Sequence, residues 1–306
     1  MNISRRDLLV QGAAFTSAAL VAGNPLRLHA DPLGKPIGLQ LYTVGDQLKA
    51  DFDGTLKKVA AIGYREVESA GFQGKSPAEV KKSFDDAGLH CKSVHISIPG
   101  GIQEAASYAN ALGAKYLISS VLLPRPLPPG KLDISAYMTA ISQLTLDDYK
   151  FISDQCNKMG EEAKKAGLQF GYHNHNFEFK PFPGGMGYDV LLKSTDPDLV
   201  KLELDCGWMK AAGHDPAAYL AKYPDRYRLL HIKDFKPLAK PSNGLADSER
   251  PAPAELGRGS IDYKPIFAAA KKTQVEQYYV EQEPPYTDMT ALEAIKVNYD
   301  FLHKFD

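Results

Sequence analysis

Cysteine is scarce. Three thiols in 306 residues, Cys91, Cys156 and Cys206, are too few and too far apart for a disulfide framework or a Cys-x-x-Cys metal site, and they read as buried thiols. Neither sign of charge dominates: 36 basic residues face 37 acidic ones, a formal net charge of −1. That balance gives no electrostatic footprint for nucleic acid or for an anionic membrane surface. No apolar run is long and unbroken enough for a permanent membrane span, which takes about 20 residues. A doubly wound nucleotide-binding sheet would want a glycine-rich phosphate turn after its first strand, and Tyr42-Thr43-Val44-Gly45-Asp46 is not one. No low-complexity linker divides the chain, so it reads as a single domain. With 44% hydrophobic residues it can bury one large core, and an eight-unit α/β barrel needs about 250 residues.

The first thirty residues read as a targeting segment rather than as part of that core. Ser4-Arg5-Arg6-Asp7-Leu8-Leu9 opens a basic region, Gly12 to Gly23 is a moderately apolar stretch of small residues, and Leu28-His29-Ala30 is a passable cleavage site. Paired arginines followed by leucines resemble a twin-arginine signal, which exports folded proteins and suits one that acquires a metal first. The expectation is a mature chain of residues 31–306, periplasmic or otherwise exported; an ordinary secretory signal or a retained anchor are the alternatives.

From there short apolar runs alternate with amphipathic stretches. Strands are expected at Ile37–Tyr42, Arg65–Glu68, Lys92–Ile98, Tyr116–Ser119, Leu168–His175, Val200–Leu204, Tyr227–Ile232 and Gln277–Val280. Helices are expected near Thr55–Ile62, Ser76–Ala87, Leu146–Ala166, Gly187–Lys193, Pro216–Tyr223, Tyr263–Lys272 and Ala291–Lys304. Leu123–Gly130 reads as a proline-rich loop, and Pro237–Pro253 as a long insertion able to cover a site. Strands that alternate with helices point to a closed (β/α)8 TIM barrel, with a doubly wound open sheet as the runner-up.

Active sites of such barrels are built at the C-terminal ends of the strands. Here those ends carry Glu68, His95, His173, His175, Asp205, His231 and Glu281. So many ionisable groups converging on one face need counter-charge or a metal. Glu203 and Asp205 lie two apart and share a face, so both can point inward. Carboxylate and imidazole together suit Mn²⁺, Mg²⁺, Co²⁺ or Zn²⁺.

Five segments at strand ends then resemble one family: Gly171-Tyr172-His173-Asn174-His175-Asn176-Phe177-Glu178-Phe179, Leu204-Asp205-Cys206-Gly207-Trp208, His231-Ile232-Lys233-Asp234, Gly257-Arg258-Gly259-Ser260-Ile261-Asp262-Tyr263 and Val280-Glu281-Gln282-Glu283. In that order they resemble the xylose-isomerase-like TIM-barrel superfamily of sugar phosphate isomerases and epimerases, from about Ile37 to Phe305. The resemblance implies one divalent metal held by Asp205, His231 and Glu281. The fourth ligand is open, because His173 stands where isomerases and epimerases place a glutamate; His175 or Glu178 are the alternatives to it. Tyr172-His173-Asn174-His175 is similar to the fifth-strand segment of inosose dehydratases and of proteins that process 3-keto sugars and glycosides, which remove a proton alpha to a ketone and expel a beta oxygen.

By that resemblance the expected function is metal-dependent chemistry on a keto sugar, as a lyase, hydratase or isomerase. Glu281 or a histidine such as His173 is the base, and Lys233 carries the oxyanion or protonates the leaving oxygen. His95, His175, Glu178 and Trp208 shape the sugar pocket. For Lys233 the competing reading is a surface ion pair with Asp234, and for Trp208 it is core packing. Gly257-Arg258-Gly259 reads as a turn before a helix, and Asp262 as a residue that caps it. The expected partner is a small sugar, a homo-oligomer being compatible with the sequence. Two other readings are an exported sugar-binding protein whose catalysis has lapsed and an abasic-site nuclease, the latter disfavoured by the lack of a basic face.

Overall fold

The computed structural model describes residues 31–96, 101–120, 122–124, 134–244, 249–286 and 288–305. The expected targeting segment, and most of the proline-rich loop at Leu123–Gly130, lie outside them. Eight parallel strands close into a barrel: β1 (Gly38–Gln40), β2 (Glu66–Ser69), β3 (His90–His95), β4 (Tyr116–Ser120), β5 (Gln169–His173), β6 (Val200–Asp205), β7 (Tyr227–Ile232) and β8 (Gln277–Val280). Each strand pairs with its neighbours in sequence, and β1 pairs with β8 to complete the ring. This is the single-domain (β/α)8 barrel that the alternating pattern implied, and the open sheet is set aside.

Local chemistry explains the boundaries. Ser76 caps the helix Pro77–Ala87 through a reciprocal box with Glu79, Pro77 pre-sets its first turn, and Gly88 ends it at φ +67°. Thr145 with Asp148 and Thr290 with Glu293 make the same box for Leu146–Lys165 and Ala291–His303. The first strand ends earlier than expected because the Gln40 side chain accepts from the backbone N–H of Tyr42, turning Leu41–Val44 into a 3₁₀ helix. The fifth likewise stops at His173, where the chain leaves the sheet for a 3₁₀ turn at Phe177–Phe179. Helices at Gly45–Ala50, Gly101–Leu112, Ile134–Ser142 and Cys206–Ala211 were not foreseen.

Two apolar layers follow from strand alternation. Outward side chains join the helices in one large core. Inward ones, Tyr116, Ile118, Leu229 and Tyr279, are all buried and form a separate cluster inside the ring. That inner layer closes the barrel, so inward polar groups further along the strands collect at its C-terminal mouth.

Candidate metal centre

Four strands in succession each deliver one side chain to the mouth. His173 ends β5, Asp205 ends β6, His231 lies near the end of β7, and Glu281 follows β8. Asp205 is opposite His231 in the β6–β7 register, and the Glu281 N–H donates to the Ile232 carbonyl at 3.1 Å, which extends the β7–β8 pairing past the last formal strand residue. One donor atom from each of the four lies within 4.8 Å of the others, and all four residues are buried.

The surrounding contacts orient these groups. His173 Nδ1 is 2.9 Å from Glu203, which leaves Nε2 facing Asp205 at 3.7 Å. His231 Nε2 lies 2.8 Å from Glu68 and 3.2 Å from Glu203, and its Nδ1 is 2.7 Å from Glu281. Glu68 is itself held by Gln40 and Ser93. Asp205 is fixed twice: Oδ1 accepts from Trp208 N–H as the cap of the helix Cys206–Ala211, and its backbone N–H donates to Asn174 Oδ1. Lys233 Nζ sits 2.9 Å from Asp205, 2.9 Å from Glu281 and 3.3 Å from Glu283, which also pairs with Arg250 of the insertion. A side chain at Gly207 would run into the Lys233 stem at 2.2 Å, so the glycine is what lets the lysine lie inward.

Burial and partners together set the protonation states. Burial penalises charge on every group here. For His231 that penalty is outweighed by Glu203, Glu281 and Glu68, which hold the imidazole protonated. For Glu281 it is outweighed by Lys233 and His231, which keep the carboxylate ionised. Lys233 stays an ammonium because Asp205 and Glu281 more than offset its desolvation. At His173 the neighbouring His231 and Lys233 add to it and drive the imidazole well below the usual histidine range; at His175 burial and Lys233 outweigh Glu281 and bring it down to about 3. Glu203 is pushed up to about 8 by burial and by the charge of Glu68.

The other expected residues fall around this quartet. His95 spans Gln40 and Ser120 at 3.4 and 3.3 Å, with its ring 5.4 Å from that of His173. His175 is one ring further out, 5.1 Å from His173, and its Nδ1 has no hydrogen-bond partner among the described residues. Glu178 does not supply a carboxylate to the cluster: the 3₁₀ turn aims it at Tyr172 OH and the His175 N–H. Trp208 is packed between Phe235, His175 and the Lys233 ammonium, in keeping with the packing reading. The alternative of a Lys233–Asp234 surface pair fails, because Lys233 turns inward while Asp234 accepts five backbone N–H bonds from Phe235, Gly257, Gly259, Ser260 and Ile261. A Cβ at Gly259 would meet Asp234 at 2.1 Å. Asp262 accepts from the Lys264 N–H as the helix Lys264–Ala270 begins.

With the geometry in hand, the profile of the xylose isomerase-like TIM barrels matches residues 56–305. The chain belongs to that family. An inosose dehydratase from Lacticaseibacillus casei is 26% identical over 265 residues, 76% of this chain and 83% of that protein. A solved sugar phosphate isomerase/epimerase from Parabacteroides distasonis is 29% identical with a TM-score of 0.69, covering 89% of this chain and 99% of its own. The IOLI protein, solved with a zinc atom, shares the fold at 16% identity and a TM-score of 0.58, over 87% of this chain and 96% of its own.

The residues present fit a divalent metal on their own chemistry. Two imidazoles and two carboxylates suit borderline and hard divalent ions. Glu203 on His173 Nδ1 and Glu68 on His231 Nε2 are the carboxylate–histidine contacts that orient ligating imidazoles. Five carboxyl groups, Glu68, Glu203, Asp205, Glu281 and Glu283, meet only Lys233 and Arg250 as fixed cations among the described residues. The proton on His231 is the positive charge that a bound cation would displace.

Residues to which the sequence reading gave no part in the site also matter here: Gln40, Ser93, Asn174, Asp234 and Arg250. Asn174 and Asp234 had a signal, each standing beside a candidate site residue in one of the five strand-end segments, His173 and Lys233 respectively.

Proposed function

We propose that this chain is a divalent-metal-dependent enzyme of keto sugars or 3-keto-glycosides, which removes the proton alpha to the carbonyl and expels the oxygen beta to it. The supporting observation is the buried quartet His173, Asp205, His231 and Glu281 with the Lys233 ammonium between two of its carboxylates. The relatives' names, inosose dehydratase and sugar phosphate isomerase/epimerase, point to the same substrate class. A divalent cation held by the quartet would supply Lewis-acid polarisation of the carbonyl and an adjacent hydroxyl.

The chain's own groups divide the remaining work. Glu281, kept ionised by Lys233 and His231 against its burial, is the proton acceptor. Lys233, an ammonium with Asp205 and Glu281 at 2.9 Å, donates to the oxygen on which charge develops or to the departing one. In a 3-keto-glycoside the C2 proton goes to the base and its C–H pair becomes the new double bond. The C1–O bond breaks with its electrons on oxygen, which takes up a proton, so nothing is oxidised or reduced. The favoured sugar is uncharged, since Lys233 and Arg250 are both already paired and a phosphate would face the ring of carboxylates.

Proton–deuterium exchange at the carbon alpha to the ketone of 3-keto-glucose tests this reading. Exchange should require added Mn²⁺, Mg²⁺, Co²⁺ or Zn²⁺ and should fall by about a thousandfold in Glu281→Gln. Absence of exchange with any keto sugar in the metal-loaded wild type would overturn it in favour of a sugar-binding protein. Export by the twin-arginine route is a companion proposal, resting on Ser4-Arg5-Arg6 and the stretch after it. The double change Arg5→Lys, Arg6→Lys should retain the protein in the cytoplasm, and undiminished export would refute that route.

A further inference from the structure

Lys233 brings an ammonium into the metal centre, and its side chain is held along its whole length. The backbone N–H of Lys233 donates to the Tyr263 hydroxyl at 3.0 Å, and that hydroxyl donates back to the Lys233 carbonyl. The stem lies on the bare face of Gly207, and Nζ stands 5.3 Å from the centre of the Trp208 ring.

Three carboxylates surround Nζ, and they are not equivalent. Asp205 Oδ2 and Glu281 Oε2, each at 2.9 Å, belong to residues of the quartet. Asp205 Oδ1 is taken by the Trp208 N–H, so Oδ2 is the oxygen left for a cation, and it accepts no hydrogen bond among the described residues. Glu283 is outside the quartet, yet its Oε1, at 3.3 Å, is the oxygen to which Nζ donates. Glu283 is also fixed in direction. Gln282, buried between it and Glu281, is fastened at three points. Its N–H donates to Thr43 Oγ1 at 3.0 Å, its Nε2 donates to Glu255 at 3.0 Å, and its Oε1 accepts from Asn298 at 2.8 Å. The second oxygen of Glu283, Oε2, pairs with Arg250, which leaves Oε1 for the lysine.

A divalent cation in the quartet would change the balance at Nζ. It would draw on Asp205 and Glu281, the two carboxylates that now press closest on the ammonium, and two like charges sharing the same anions repel each other. Without a third anion the lysine would either give way or hinder the cation. We propose that Glu283 is a positioning residue, which holds the Lys233 ammonium at the edge of the quartet when a cation claims Asp205 and Glu281. The consequence for catalysis rests on the function proposed above, whereas the effect on metal binding does not. Glu283 acts through Lys233, keeping its Nζ in reach of the oxygen on which charge develops.

Calorimetric titration of the apoprotein with Mn²⁺ tests this on the full chain, in wild type, Glu283→Gln, Lys233→Met and the double variant. With its third carboxylate gone, the ammonium falls back on Asp205 and Glu281 and competes with the cation. Glu283→Gln should therefore lower Mn²⁺ affinity about tenfold when Lys233 is present and less than about threefold in the Lys233→Met background, with Glu283→Asp recovering most of the loss. An equal loss in both backgrounds would make Glu283 a remote charge on the metal. That result overturns the proposal, as does no loss at all or a wild type that binds no Mn²⁺. Acetylation of Lys233, followed by mass spectrometry, leaves position 233 intact. Saturating Mn²⁺ should speed it severalfold in Glu283→Gln and leave the wild type unchanged; equal responses overturn the proposal. In proton–deuterium exchange with 3-keto-glucose at saturating Mn²⁺, Glu283→Gln should lower kcat about tenfold with KM within about twofold. An unchanged kcat overturns the positioning role and leaves the keto-sugar function standing. If the wild type exchanges no keto sugar, the function fails, and the titration and acetylation decide alone.

Discussion

The two halves of the barrel treat the mouth differently. β5 to β8 send His173, Asp205, His231 and Glu281 to one point, with donor atoms within 4.8 Å of each other. β1 to β3 send Gln40, Glu68, Ser93 and His95, whose bonds run among themselves and on to His231. One half presents the candidate ligands and, through Glu203 and Asn174, steadies two of them; the other half reaches the quartet through Glu68 on His231. A second contrast lies inside it. Glu68 stays ionised despite its burial because His231, His95 and Ser93 offset the cost, whereas Glu178 has no ion-pair partner among the described residues and is pushed up to about 8 by burial. Depth alone does not decide the charge of a buried carboxyl; its partners do.

That contrast can be broken at its strongest point. Asp205→Asn keeps a helix cap on Trp208 N–H, so the fold should survive while metal affinity, followed by titration of the apoprotein, falls by about a thousandfold. Unchanged affinity would remove β6 from the ligand half.

The next effect is on stability. Glu178 is protonated in the fold up to about pH 8, while an unfolded glutamate ionises near 4.5. Between those values the unfolded chain binds fewer protons, so this group makes the fold less stable as pH rises. Glu178→Gln removes that penalty and should gain on the order of 3 kcal/mol over the wild type between pH 5 and pH 9 in urea unfolding. A difference that does not change with pH would mean that Glu178 is ionised throughout.

Glu68→Gln probes the other half. Loss of the carboxylate on His231 Nε2 should weaken metal binding by about 10- to 100-fold, clearly less than Asp205→Asn. Equal losses would erase the division of labour. His95→Ala should do least: its contacts are long, at 3.3 and 3.4 Å, and about threefold in KM with metal affinity intact is the expected result. A loss of metal binding there would make β3 part of the ligand half.

Much of this was legible before any coordinates, for a physical reason. Strands buried on both sides must be apolar, so an ionisable residue at the end of such a run stands out, and His173, Asp205, His231 and Glu281 were each found that way. The alternation that put Glu203 and Asp205 on one face also held. Gln40 and Ser93 were invisible, because an uncharged polar residue in a strand breaks no pattern. Glu178 misled as a ligand candidate because its direction is set by a 3₁₀ turn that spacing does not reveal. The loop around Asp234 and the meeting of Lys233, Arg250 and Glu283 are assembled from segments far apart in the chain, and periodicity carries no information about such meetings.

The insertion begins and ends in a small hairpin, Asp234–Phe235 against Pro253–Ala254, one residue past Lys233. Asp234 clamps the far side of that hairpin through the backbone of Gly257 to Ile261. The segment between the two hairpin strands is tied back to the mouth from both sides, through Arg250 on Glu283 beside the ammonium and through Ser242 and Gly244 on Asn176. Its two hairpin strands act as a fixed hinge plate, so a change of sequence at Arg250 or Ser242 would be felt at Glu283 and at the turn after β5 while the strands themselves stay anchored.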